Sequence, residues 1–221
     1  MLAALLALAA AAPDPCLAEG AHIAWRGDFG PELLECLARA PGPRIATLVI
    51  DSGGGDVESG LQVFERGIRF GVVEVRGLCA SSCANYILPL AERVEIGPGA
   101  HVLLHGGVRS TGLPPREALE KQLQRDFPQI EPEALRRAAA EFAATFATLA
   151  AREEAFARTT GVCDAWLDPK QALQRSRVEF VEPTAAAAAA CLHIPVTSQS
   201  PPQASRTYKV KGRKVLRWDG P

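Results

Sequence analysis

The segment that most constrains the fold is Arg44–Ile50, RIATLVI, followed at once by Asp51-Ser52-Gly53-Gly54-Gly55. A β-branched, nearly continuous apolar run predicts a strand buried on both faces, which needs a layer on each side. The three glycines break that strand. An amphipathic helix is then expected from Asp56 to Arg69, with Val57, Leu61, Phe64 and Ile68 on one face. Strand, glycine turn and helix make the βα step of an α/β fold.

The same alternation extends along the chain. A strand is predicted around Ala21 to Trp25 and a helix from about Gly30 to Ala40, closed by Pro41-Gly42-Pro43. Val72 to Arg76 reads as a strand leading into a helix that begins near Ser81. Strands are expected near Arg93 to Ile96 and His101 to Leu104. From about Pro115 to Thr160 the pattern is helical, interrupted near Pro128 and Pro132, with Phe142, Phe146, Leu149 and Phe156 on its apolar side. A short helix at Pro169 to Gln174 and a strand at Val178 to Val181 complete one α/β domain, residues 16–183. From Thr184 to Pro221 the chain is Ala- and Pro-rich and then basic, and this tail is expected to be disordered.

A length of 221 residues suits a single domain. The net charge of −1 gives no electrostatic footprint for nucleic acid. No apolar run is long enough to span a bilayer. Met1 to Ala12, MLAALLALAAAA, has the apolar core and small-residue cleavage zone of a secretory signal, although no Lys or Arg precedes Arg26. With six cysteines, an even number, this start predicts a periplasmic or secreted protein. Cys16, Cys36, Cys79, Cys83, Cys163 and Cys191 allow fifteen pairings, among which spacing does not choose. Their spacing does not make a zinc knuckle, and neither metal nor cofactor is expected.

Three short segments carry chemistry. The glycine turn after Ser52 can expose backbone N–H groups to an anion. Gly77-Leu78-Cys79-Ala80-Ser81-Ser82-Cys83 puts serines at a strand–helix junction, where one is either a nucleophile or a helix N-cap. The apolar strand His101-Val102-Leu103-Leu104-His105 ends in a histidine beside Gly106-Gly107, where a base could remove a serine proton. His101 is the competing histidine, at the strand's start.

In this order the segments resemble the proteolytic subunit of the Clp protease, a family of the ClpP/crotonase superfamily. Ser52-Gly53-Gly54-Gly55 is similar to its S-P-G-G turn, and Gly77–Cys83 to its G-x-x-A-S-M-[GA] nucleophile segment. Arg93 and Val102-Leu103-Leu104-His105 are similar to its Arg and His strands, and Cys163–Ala172 to its R-D-x-[FW]-[LM]-S-x-x-E-A motif. Gly53 stands where that family has Pro, and Ser82 where it has Met. The resemblance implies a spiral of strand-strand-helix units and a serine peptidase acting on peptides or unfolded polypeptides. It implies Ser81 as nucleophile, His105 as base, Asp164 as the acid that orients His105, and the N–H groups of Gly54 and Ser82 as oxyanion hole. Ring formation is left open by the loosely similar helical region, and an exported protein is expected to work without an ATPase partner. Beside this frame, Cys79 and Cys83 either form a bridge that stiffens the nucleophile turn, which is the expected case in an exported protein, or pack as two small buried residues; with the bridge, Cys163–Cys191 and Cys16–Cys36 would be the remaining pairs. The rival functions are an inactive scaffold of this fold and a crotonase-type acyl-CoA enzyme.

Overall fold

The computed structural model describes residues 14–200 and 205–220; the signal-like segment lies outside them. The chain opens on a hairpin of β1 (Cys16–Glu19) and β2 (His22–Arg26), followed by α1 (Pro31–Leu37). The β-branched run becomes β3 (Arg44–Ser52), whose Ile45, Leu48 and Ile50 are fully buried. The glycine turn leads to α2 (Val57–Glu65), capped by Asp56, whose carboxylate accepts from the N–H groups of Glu58 and Ser59. β4 (Arg69–Ala80) is longer than expected. It ends in a π-helical turn at Cys83–Ile87 and a 3-10 turn at Leu88–Leu90, before β5 (Ala91–Ile96) and β6 (His101–Leu103).

The extra length of β4 lets it serve two partners in succession. Phe70–Val75 pairs with β5, whereas Leu78–Ala80 pairs with β6, both in parallel. A register shift after Ile50 lets Ser52 face Cys79 across the β3–β4 ladder, with Asp51 Oδ1 accepting the N–H of Leu78 at 2.9 Å. β3, β4 and β6 therefore run the same way and finish at one edge of the sheet. In parallel α/β sheets, that carboxyl edge is where loops converge on a ligand.

α3 (Val108–Thr111), α4 (Arg116–Asp126) and α5 (Pro132–Thr160) follow. The break expected near Pro128 and Pro132 separates α4 from α5, and Pro132 begins α5 because its missing N–H costs nothing in a first helical turn. α5 docks on α2 partly through Arg152, which bonds the carboxylates of Glu58 and Glu65. α6 (Asp164–Leu167), α7 (Lys170–Ser176) and β7 (Phe180–Pro183) then return the chain to β6, where Leu104 and Val181 exchange two hydrogen bonds of 2.8 Å.

The tail expected to be disordered is folded over its described part. α8 (Ala185–Leu192) is capped by Thr184, and β8 (Val196–Ser198) adds to the main sheet beside β5. β9 (Thr207–Val210) and β10 (Arg213–Trp218) form a hairpin that completes a second sheet in the order β7-β10-β9. The physical reason is burial: Val210 and Val215 pack into one small cluster with Ala80 and Leu103, and Leu216, on the other face of β10, joins the main core. Lys211 and Gly212, both at positive φ, make the tight turn that right-twisted hairpins favour. The architecture is a mixed α/β domain whose seven-stranded sheet runs β1-β2-β3-β4-β5-β8, with β6 on the second half of β4.

The structure pairs all six cysteines: Cys16 with Cys36, Cys79 with Cys83, and Cys163 with Cys191. These pairs are compatible with an oxidising compartment. Among the described residues no helix is long and apolar enough to cross a membrane.

Candidate active site

Parallel pairing of Ala80 with Leu103 carries the next residues of both strands to the same place. The N–H of Ser81 donates to the carbonyl of Leu103 at 2.9 Å, and two residues beyond Leu103 the chain reaches His105. Ser81 and His105 meet there, with Nε2 of the imidazole 2.6 Å from the serine Oγ. Ser81 is half-buried, and its backbone stands at φ +55°, a left-handed conformation that disfavours side chains other than Gly, Asn and Asp. A serine held this way between strand and helix presents its hydroxyl at the tip of a sharp turn. The turn is closed covalently by Cys79–Cys83, both fully buried.

His105 keeps an exposed edge, yet Phe180 meets its ring edge-on at 5.3 Å. Burial by such neighbours lowers the imidazole pKa below its ordinary value, opposed by a hydrogen bond to the backbone of His105 itself. With Nε2 turned to Ser81, Nδ1 is the ring nitrogen left to carry the proton. A proton on Nδ1 leaves the Nε2 lone pair free to accept from the serine.

The glycine turn lies against this pair. A Cβ on Gly54 would sit 2.6 Å from the Ala80 carbonyl oxygen and 2.7 Å from Ser81 Cβ, so only glycine permits the approach. The N–H of Gly54 is not available to an oxyanion, because it donates to Ser52 Oγ at 3.1 Å. The sequence pointed to this N–H for the oxyanion, and the structure bonds it to Ser52 instead. The N–H of Gly55 has no hydrogen-bond partner among the described residues, and Gly55 borders the pocket beside Ser81. The N–H of Ser82 stands at the head of the π-helical turn, where no preceding turn offers a carbonyl. The Ser82 hydroxyl is spent on the Gly55 carbonyl at 2.9 Å, which locks the glycine turn onto the turn that carries Ser81.

Asp164 departs from expectation. Its segment does reach the site: Trp166 is buried and donates through Nε1 to the Ala84 carbonyl at 3.1 Å, and the Leu167 carbonyl accepts the N–H of Gly107 at 2.7 Å. The aspartate itself turns away. Its side chain is 94% exposed, lies 3.6 Å from the Arg109 guanidinium, and borders a separate groove with Lys170 and Lys214. Asp168 stands just before the next helix, whose N-cap is Pro169, and accepts the N–H of Lys170 at 3.3 Å. His101 is held elsewhere, with Nδ1 2.9 Å from Glu182, and Arg93 pairs with Glu95 on the surface.

No family model matches the sequence, and no curated protein matches it. Among solved structures, a ClpP1 point mutant from Listeria monocytogenes is similar over 69% of this chain and 85% of that one, with 19% identity and a TM-score of 0.34.

A pocket of about 370 Å³ opens beside Ser81 and His105. Val57, Phe142, Phe146 and Leu149 give it an apolar wall, the last three from α5. The sequence did not disclose two further residues around it. Asn85 is buried and donates through Nδ2 to the Gly106 carbonyl at 2.9 Å, tying the helical turn after Ser81 to the residue after His105. Glu153 is fully buried on α5, at positions i+4 from Leu149 and i−3 from Phe156. A carboxylate on that apolar stripe was the available signal, since an ordinary helix puts its charges on the opposite face.

Proposed function

We propose that this chain is a ClpP-like serine peptidase working through a Ser81–His105 dyad. The observation that carries the reading is the 2.6 Å contact of Ser81 Oγ with His105 Nε2, made by a serine in left-handed backbone at a strand–helix turn. Ser81 attacks the scissile carbonyl while His105 takes its proton at Nε2 and later passes it to the leaving amine. The N–H groups of Gly55 and Ser82 hold the oxyanion, in place of the Gly54 and Ser82 pair. Water then attacks the acyl-enzyme with His105 again as base. Asp164 does not orient the imidazole in this arrangement, because its carboxylate lies beside Arg109.

The apolar wall of the pocket favours a substrate with a large apolar side chain next to the scissile bond. Peptides and unfolded chains present such side chains, so they are the proposed substrates. The β3–β4–β6 arrangement is read as part of a ClpP/crotonase-type spiral. The three disulfides favour the periplasm or the extracellular space, where the protein works without an ATPase partner. A homo-oligomer fits this reading too. The crotonase alternative uses a similar oxyanion hole but has no use for a serine bonded to a histidine.

The test is hydrolysis of fluorogenic peptides bearing Leu, Phe or Asp before the reporter. Cleavage of the Leu and Phe peptides, absent in Ser81→Ala, is expected. A protein equally inert with and without Ser81 would be a scaffold.

A further inference from the structure

Glu153 is the fully buried carboxylate among the described residues, and no cation pairs with it there. Its partners are neutral donors: the Tyr86 hydroxyl at 2.6 Å and the N–H of Val108 at 2.9 Å on Oε1, and the N–H of Arg109 at 2.9 Å on Oε2. An uncompensated buried carboxylate is costly, so this one is kept only by the geometry of its donors.

Those donors belong to the two halves of the dyad. Tyr86 lies on the π-helical turn that starts just after Ser81, and its ring packs edge-on against Phe156 of α5 at 5.6 Å. Val108 and Arg109 follow His105 by three and four residues. Between them Gly107 passes so close that a Cβ would sit 1.9 Å from Glu153 Oε1. One carboxylate therefore bridges the nucleophile's turn and the base's loop, and fastens both to the helix that walls the pocket. Burial first, then the charge of Glu153, push the Tyr86 hydroxyl far above the ordinary phenol range, so it stays a donor.

We propose, resting on the dyad reading, that Glu153 is a positioning residue: its carboxylate sets the separation of Ser81 and His105 without touching substrate. The Asn85–Gly106 bond links the same two segments but leaves Val108 and Arg109 unheld. Without Glu153 the buried N–H of Val108 and the Tyr86 hydroxyl lose their acceptor, as does the half-buried N–H of Arg109, and the loop carrying the base relaxes.

The experiment compares wild type with Glu153→Gln and Tyr86→Phe, using Leu216→Ala in the second sheet as a control for destabilisation alone. In Glu153→Gln an amide NH₂ replaces one acceptor and faces a donor. Activity is measured below each variant's melting transition. The expected result is a fall in kcat, and in the rate of Ser81 labelling by a fluorophosphonate, of about 10²-fold in Glu153→Gln, as for a displacement near 1 Å, with KM changing less than about threefold. Tyr86→Phe, which keeps both backbone bonds, should lose roughly 10-fold, while Leu216→Ala keeps wild-type kcat in its folded fraction.

Wild-type kcat in folded Glu153→Gln overturns the proposal, as does a loss that only follows the unfolded fraction. If Glu153→Gln does not fold, Tyr86→Phe decides by the same criterion. NMR titration of the His105 ring reads the geometry without turnover. Ser81→Ala should shift that titration in the wild-type background and not with Glu153→Gln. An inert wild type that still shows this difference would remove the peptidase reading and keep the positioning role; equal shifts in both backgrounds would remove the positioning role.

Discussion

Replacing Cys79 and Cys83 together by alanine should separate stability from catalysis. In the chain-entropy picture a cross-link stabilises more as the loop it closes grows. The sequence separations are 4 for Cys79–Cys83, 20 for Cys16–Cys36 and 28 for Cys163–Cys191. They translate into about 2, 3.3 and 3.6 kcal/mol respectively. Cys79→Ala/Cys83→Ala should thus be the mildest of the three double variants, with a melting temperature lower by roughly 4–8 °C. Its activity should suffer most. The bridge spans Ser81 in its left-handed conformation, and without it the turn can relax toward an ordinary helical φ that swings Oγ away from His105. A displacement near 1 Å corresponds to a loss of about 10²-fold. Cys16→Ala/Cys36→Ala, far from the site, should melt lower and keep its turnover. The assay is the second-order rate of fluorophosphonate labelling at 20 °C, with thermal melts under non-reducing conditions. Wild-type labelling by Cys79→Ala/Cys83→Ala would refute the reasoning, because the serine's conformation would then be held by the backbone alone.

Other outcomes follow from the site. Burial holds His105 below 6.5, so neutral, base-competent imidazole persists under that pH. The acid limb of kcat/KM should therefore have its midpoint below 6.5; a pH–rate profile with a midpoint above it would contradict the desolvated environment. Asp164→Asn should keep turnover within about threefold, because an exposed carboxylate beside Arg109 contributes little. Loss of several orders of magnitude, of the kind that follows removal of a triad aspartate, would show that Asp164 reaches His105 during the reaction.

What the sequence disclosed was the course of the backbone, and what it concealed was where particular side chains point. The β-branched run ending at the glycines, and the apolar strand ending at His105, place three strand ends together because parallel pairing leaves little freedom. Asp164 shows the limit. Its motif identifies a segment, and Trp166 and Leu167 do anchor that segment to the site. The short helix α6 then directs the aspartate to Arg109, a matter of one side chain's orientation. Likewise the choice between Gly54 and Gly55 depends on a single bond from Ser52, which composition does not encode. The fold of the tail is hidden by composition, because Ala, Ser and Pro dominate its first half. In the second half, Tyr208 and Val210 on one side of Lys211-Gly212, and Val215 on the other, form a hairpin pattern that the basic residues obscure.

The central claim is that Ser81 is a nucleophile activated by His105. Its most direct test is peptide mapping by mass spectrometry after treating the folded, oxidised protein with a fluorophosphonate. The account predicts one covalent adduct, on Ser81, lost in Ser81→Ala and formed at least 10²-fold more slowly, roughly, in His105→Ala. An adduct on Ser82, or none on the folded protein, would contradict it.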